Sequence, residues 1–310
     1  MRITTPSDEA KHGSMDHHAV IASLTPEQRN RLTEKSDAAG LAQLAVHCGL
    51  LILIGTAISL GVPFWWLLLL PQGLLIAFLF TLLHEAVHLT PFRSGWLNAL
   101  AARVSGFLLL LPPDWFRYFH FAHHRYTQDS ENDPELATRK PDTVLRYIAH
   151  VSGIPFWWGA VKGLFVNAAG RNRAAYIPPK GHAKVAQEAR VMLCLYTLFA
   201  GVSVYFQSTL LLWIWVVPAL IGQPFLRVFL LAEHAGCPFL ADMLQNTRTT
   251  RTIWLVRRLA WNMPYHAEHH SYPGVPFHRL PELHAVIERH VAHVENGYMR
   301  FNAKYVQALR

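Results

Sequence analysis

The chain has 310 residues, 52% hydrophobic and only 15% charged, with a net charge of +8 and a mean hydropathy of +0.17. A soluble domain carries about 25% charged residues, so the composition argues against an ordinary water-soluble enzyme. The basic balance comes with no nucleic-acid motif and reads as the inside loops of a membrane protein. Cys48, Cys194 and Cys237 form no CxxC pair, which leaves neither a disulfide framework nor a thiolate metal site.

Residues 1–38 are expected to be a polar tail without the apolar core of a secretory signal, followed by a short helix. Thr25 is placed as its N-cap, Pro26 at its first position and Glu27 in its first turn. From Leu41 to Phe92 there is no Lys, Arg or Asp, and the only acid is Glu85. One crossing needs about 20 residues, so this run predicts two, over 41–60 and 64–88, turning at Gly61-Val62-Pro63 beside the aromatics Phe64, Trp65 and Trp66. The stretches 96–111 and 144–169 are interrupted by Arg103, Arg146, His150 and Lys162 and fit crossings poorly; they read as interfacial helices lying along the membrane, with a six-crossing topology as the open alternative. A second charge-free run, Val191 to Leu226, predicts crossings over 190–207 and 210–233, turning near Gln207-Ser208. Both hairpin tips lack charge, so the positive-inside rule puts the tail, the middle segment and the C-terminal segment in the cytoplasm. The expected fold is an all-α integral membrane helical bundle. It has two transmembrane hairpins and a cytoplasmic helical cap, within a membrane domain spanning 39–310.

Histidine is abundant, with 19 copies. LHEAVH places His84 and His88 at i and i+4, with Glu85 between them. Alone it matches the HExxH of zinc peptidases, in which the glutamate is the general base. HFAHH contributes His120, His123 and His124; HAEHH contributes His266, His269 and His270. Residues at i, i+3 and i+4 share a helix face, so each HxxHH is expected to offer three imidazoles to one centre. His234, beside Glu233 in LLAEHAG, ends the last crossing as His84 ends the second. Nine imidazoles exceed the four ligands of one tetrahedral zinc and suit two metal ions; imidazole by itself does not choose the metal. The other histidines read as structural: His12, His17 and His18 in the tail, His47 packed in the first crossing, and His278, His284, His290 and His293 on a basic surface.

The order H-x3-H, HxxHH, HxxHH resembles the signature of the membrane fatty acid desaturase superfamily, over about Leu41 to Leu283. HHRYTQDSENDPEL and NMPYHAEHHSYPGVPFHRLPELH resemble a bacterial branch with rhizobitoxine-type desaturases, and the second segment also resembles carotenoid ketolases. The resemblance implies two iron ions, dioxygen as co-substrate and electrons from a separate donor. Its ligands fall on His84, His88, His120, His123, His124, His266, His269 and His270, and His234 resembles an additional histidine of several branches. A bacterial inner membrane is the implied location. Intramembrane zinc proteases need a later Asp in an LDG-like segment, which the chain lacks. Glu85 then becomes a group that orients a ligand imidazole through its N–H, as do the candidates Asp129, Asp133, Glu233, Asn262 and Glu268.

Without a haem or iron–sulfur motif, the donor is expected to be a ferredoxin, rubredoxin or cytochrome with its reductase. Arg248, Arg251, Arg257 and Arg258 read first as positive-inside residues and second as a docking surface for an acidic donor. Trp115, Phe116, Tyr118 and Phe119 read first as interfacial anchors and second as the lining of a substrate route. The expected activity is desaturation of a fatty acyl or lipid-like chain, with hydroxylation or ketolation as the alternative. A metal transporter or store is remote, because its histidines would line a path across the bilayer.

Overall fold

The structure, a computed structural model, describes residues 15–309. Helix α1 (His17–Ala22) lies in the stretch expected to be a polar tail. Val20 and Leu24 anchor it in the main apolar cluster, and Asp242 Oδ1 accepts from the His17 backbone N–H at 3.0 Å. His12 lies outside the described residues. Helix α2 (Pro26–Leu32) begins with a reciprocal capping box between Thr25 and Gln28. It leads into α3 (Asp37–Ser59), whose Asp37 accepts from the Ser94 backbone N–H and hydroxyl.

Helix α4 (Leu69–Val87) follows the turn at residues 61–63 and a 3-10 segment, Trp65–Leu68. Next come α5 (Gly95–Leu108) and α6 (Pro113–Tyr126), at 99° to one another. The bend sits at Pro112-Pro113, where proline cannot continue a helix, and Leu110 takes a positive φ of 56°. Helices α7 (Val144–Val151) and α8 (Ile154–Ala168) have 8 and 15 residues, and α5 has 14, each short of the length needed to span. Helix α9 (Gly181–Tyr205) is separated from α10 (Val217–His234) by the turn at Gln207, φ 49°. Among the described residues four helices are long and apolar enough to cross a membrane: Pro26–Ser59, Trp65–Val87, Gly181–Tyr205 and Leu212–His234. Exposed apolar side chains along them, such as Ile52, Leu53, Leu198 and Val204, suit lipid rather than water.

Helix α9 starts earlier than the apolar run. Its first turns are charged and still packed: Glu188 accepts from the backbone N–H of Asp114 at 2.9 Å, capping α6, while Lys184 pairs with Asp114 at 2.7 Å. Hydropathy registers only the part of a helix that lies in lipid.

The centre of the bundle is the α4–α10 pair. A Cβ on Gly73 or Gly222 would collide with the backbone of the other helix, so glycine at both positions lets the axes approach. Farther along, Phe78 and Phe229 meet edge to face at 5.2 Å. His84 lies eleven residues after Gly73, and His234 twelve after Gly222. At about 1.5 Å per residue the two helices run parallel and bring both histidines to one level.

After α10 come α11 (Met243–Asn246), strand β1 (Arg248–Arg251), α12 (Trp254–Leu259), α13 (His266–Ser271), α14 (Leu280–Ile287), strand β2 (His293–Asn296) and α15 (Tyr298–Gln307). β1 and β2 pair in parallel, Arg248 opposite His293. The fold is all-α, as expected, apart from this two-stranded ribbon. Four-residue strands are too short to show a period, and helices α12, α13 and α14 lie between them in the chain.

Candidate metal centre

Four helices deliver the nine histidines. His84 sits in the last turn of α4 and His88 caps it; α6 carries His120, His123 and His124; α10 ends on His234; α13 carries His266, His269 and His270. They form two groups. His84, His88, His120, His124 and His269 each offer a ring nitrogen within 4.8 Å of the others, and so do His123, His234 and His270. His266 joins the second group, its Nε2 3.1 Å from His234 Nε2.

The grouping corrects the expectation that each HxxHH serves one centre. On a helix i and i+4 differ by about 40° in azimuth, whereas i+3 and i+4 differ by about 100°. The i, i+4 pair of each box therefore stays together and the i+3 histidine crosses over. On α6, His120 and His124 face the first group and His123 the second; on α13, His266 and His270 face the second and His269 the first.

The ring nitrogens of each group converge. Nε2 atoms converge between His88 and His120 at 2.8 Å, between His124 and His269 at 3.2 Å, and between His123 and His234 at 3.2 Å. Both ring nitrogens of His84 and Nε2 of His270 are buried without a protein partner. Buried lone pairs are costly without a donor or a cation, so the residues fit two imidazole-bound metal ions.

Outer contacts fix several rings. Asp133 Oδ1 meets His123 Nδ1 at 2.9 Å, and Oδ2 accepts from the Gln128 backbone N–H. Thr127 Oγ1 lies 3.2 Å from His270 Nδ1, and the Asn246 carbonyl 3.3 Å from His234 Nδ1. Glu233 lies 3.4 Å from His266 Nδ1 and Glu85 3.7 Å from His269 Nδ1. Glu85 Oε2 also accepts from Thr90 Oγ1 and the Phe277 backbone N–H, so its carboxylate is held in place. Asp133→Asn is expected to cost about 10–100-fold in metal affinity or activity, the usual penalty for losing such a partner. Metal titration of the variant beside Asp129→Asn checks this, the latter staying near wild type.

The remaining candidates hold other contacts. Asp129 accepts from the backbone N–H groups of Glu131 and Asn132, shaping a turn. Asn262, at φ 58°, turns the chain into α13 and donates to the Phe277 carbonyl. Glu268 binds Thr249 Oγ1 at 2.6 Å and His284 Nδ1 at 2.5 Å, which draws His284 off the expected surface. His47 sits between the Leu75 carbonyl and Trp261 Nε1, as a packing residue should. Arg248 is buried, donating to the Ala232 carbonyl at 2.5 Å and lying over Phe301, which removes it from any docking surface. The cysteines are unpaired.

Glu135 was not foreseen; its Oε2 lies 3.2 Å from His123 Nε2 and its Oε1 2.5 Å from Lys140 Nζ. Burial works to raise its pKa, but Lys140, then His123, outweigh it and hold the carboxylate below its ordinary range. Its only signal was its place eleven residues after His124.

A cavity of about 460 Å³ opens beside the histidines, touching His84, His120, His123 and His266. Trp115, Phe116, Phe119, Leu164 and Tyr176 line its apolar part, so three of the four aromatics read first as anchors face the interior. Tyr118 instead packs against Gly181. The α5–α6 bend turns this stretch inward, which composition does not encode.

A helical membrane-type bundle that gathers nine histidines into two groups beside an apolar cavity is the architecture of a histidine-box oxidoreductase. The fatty acid desaturase family profile matches residues 42–302, and the chain belongs to that family. It is similar to the dihydrorhizobitoxine desaturase of Bradyrhizobium elkanii, 27% identical over 231 residues, 69% of this chain and 65% of that protein. It is also similar to the sn-1 oleoyl-lipid 12-desaturase of a Picosynechococcus species, 24% identical over 72% of this chain and 70% of that protein. The chloroplastic omega-3 fatty acid desaturase of Glycine max is 24% identical over 71% of this chain, an alignment spanning about half of that protein, 52%.

Proposed function

We propose that the chain is a dioxygen-dependent di-iron desaturase that introduces a double bond into a fatty acyl or lipid-like chain. The observation that carries this reading is the pair of adjoining histidine groups with His84, His120, His123 and His266 exposed to one apolar cavity. The eight box histidines and His234 are the proposed ligands, the first group holding one iron and the second, with His266, the other. Bound iron supplies the oxidising power to break an unactivated C–H bond, which no side chain possesses.

The protein's part is placement. Phe116 and Phe119 stand beside the histidines in the cavity wall and restrict how a chain lies there. Asp133 holds His123 in the tautomer that presents a lone pair inward, while Glu233 and Glu85 stand beside the Nδ1 atoms of His266 and His269. Electrons come from a separate ferredoxin, rubredoxin or cytochrome with its reductase, on the proposed cytoplasmic side. The test is mass spectrometry of lipids and small metabolites from cells with and without the gene. Loss of two hydrogens in the product supports desaturation. Gain of oxygen replaces it with hydroxylation or ketolation, and an unchanged profile with substrate-independent oxygen uptake defeats both.

A further inference from the structure

We propose that Arg227 is the anchor for an oxyanion head group on the substrate, so that the cavity takes an apolar chain ending in a carboxylate or phosphate. The proposal rests on the reading of this cavity as the place where substrate lies.

Arg227 sits on α10, seven residues before His234, and lines the same cavity as the box histidines. A guanidinium within a membrane-spanning helix is expensive, and such groups pair with a counter-charge or serve function. The other charged groups of the cavity have partners. Lys140 holds Glu135 at 2.5 Å, Arg139 holds Asp142 at 3.0 Å, and Glu233 faces His266 at 3.4 Å. Among the described residues no carboxylate lies within 4.0 Å of Arg227.

Glu135 and Glu233 are near enough to act on the Arg227 charge without forming an ion pair with it, and its direct contacts are uncharged. The Gln223 amide, its oxygen turned toward the guanidinium, accepts from Nε at 2.9 Å and Nη2 at 3.2 Å. The Phe156 ring lies under it at 4.6 Å, a favourable but uncharged contact. Gln223 is itself wedged against Gly153, φ 73°, where a Cβ would strike it. His150 also lines the cavity; burial, then the charge of Arg227, push its pKa down to about 4, so it adds no positive charge at neutral pH. A planar guanidinium with a free edge and a fixed orientation suits bidentate recognition of an oxyanion.

Head and reacting carbon are then separated by a fixed span. Gln223, Arg227, Leu230 and His234 recur at helical spacing along one stripe of α10, and Arg227 stands about 10 Å along the axis from His234. A substrate held by its head at Arg227 presents a set position of its chain to the histidines. An uncharged chain lacks that register.

The test is binding, which needs neither iron nor turnover and so fails independently of the redox reading. The full chain in nanodiscs of zwitterionic lipid is titrated with 12-bromododecanoate, whose bromine quenches tryptophan emission, Trp115 being in the cavity wall. Saturable quenching is expected, absent in Trp115→Phe, competed by dodecanoate or dodecyl phosphate and not by methyl dodecanoate. The better competitor identifies the head as carboxylate or phosphate. Arg227→Gln is expected to weaken binding at least tenfold, and Arg227→Lys to restore most of it. Equal competition by the methyl ester, or unchanged affinity in a monodisperse Arg227→Gln, overturns the proposal. If Arg227→Gln does not fold, the ester comparison on the wild-type chain decides it alone.

Discussion

His269→Ala is expected to abolish activity and to lower bound iron from two ions to about one, whereas Glu85→Gln reduces activity only about 10–100-fold, in the range of an outer-contact loss. The difference follows from position. His269 Nε2 lies 3.2 Å from His124 Nε2 in the five-histidine group, while Glu85 reaches that group only through His269 Nδ1 at 3.7 Å. Glu85 is fully buried and anchored by Thr90 and the Phe277 backbone, and glutamine keeps its shape and one acceptor oxygen. His123→Ala is expected to deplete the other group. Iron analysis of the three purified variants, with substrate-dependent oxygen uptake, checks this. Complete loss of activity in Glu85→Gln with both irons retained would make Glu85 a direct participant and return the catalytic-base reading that LHEAVH suggests in isolation.

The second large effect lies far from the histidines. Gly222→Val places a side chain where the Gly73 backbone already is. Overpacking a core costs about 1–3 kcal/mol when side chains can shift, and here the obstacle is main chain, so the helices must separate. Separation at this crossing moves the ends of α4 and α10, which carry His84 and His234. Little folded protein is expected, and whatever folds should hold less iron. Gly201→Val on α9, where a Cβ would meet nothing within 4 Å, serves as the control and should behave as wild type. Size-exclusion yield, thermal unfolding and iron content are the measurements. A Gly222→Val protein with wild-type melting and full iron would show that the close approach is dispensable.

These two results probe different kinds of information. Residue identity and spacing determined the metal-binding potential: an imidazole is a ligand wherever it stands, and i, i+3, i+4 spacing puts it on a known face of a helix. Charge-free runs located the four long helices, because a charge facing lipid is costly over a span of about 20 residues. Thr25-Pro26 marked a helix start through capping that is local in sequence. The role of His47 as a packing residue was also readable, since a lone histidine in an apolar run needs only nearby partners.

Only the tertiary structure decided which histidines share a centre, because that depends on how α4, α6, α10 and α13 are rotated about their axes. It also decided the tasks of the acids. Asp133 meets a box histidine whereas Asp129, four residues earlier, shapes a turn, and nothing in their local sequence separates them. Glu135, Arg227 and the inward-facing Trp115, Phe116 and Phe119 became visible through the cavity, which lies between segments distant in the chain. Arg248, expected among surface cations, is instead buried against Phe301 and the end of α10. Composition and spacing report what a residue can do; orientation and neighbours, set by long-range packing, determine which of those things it does.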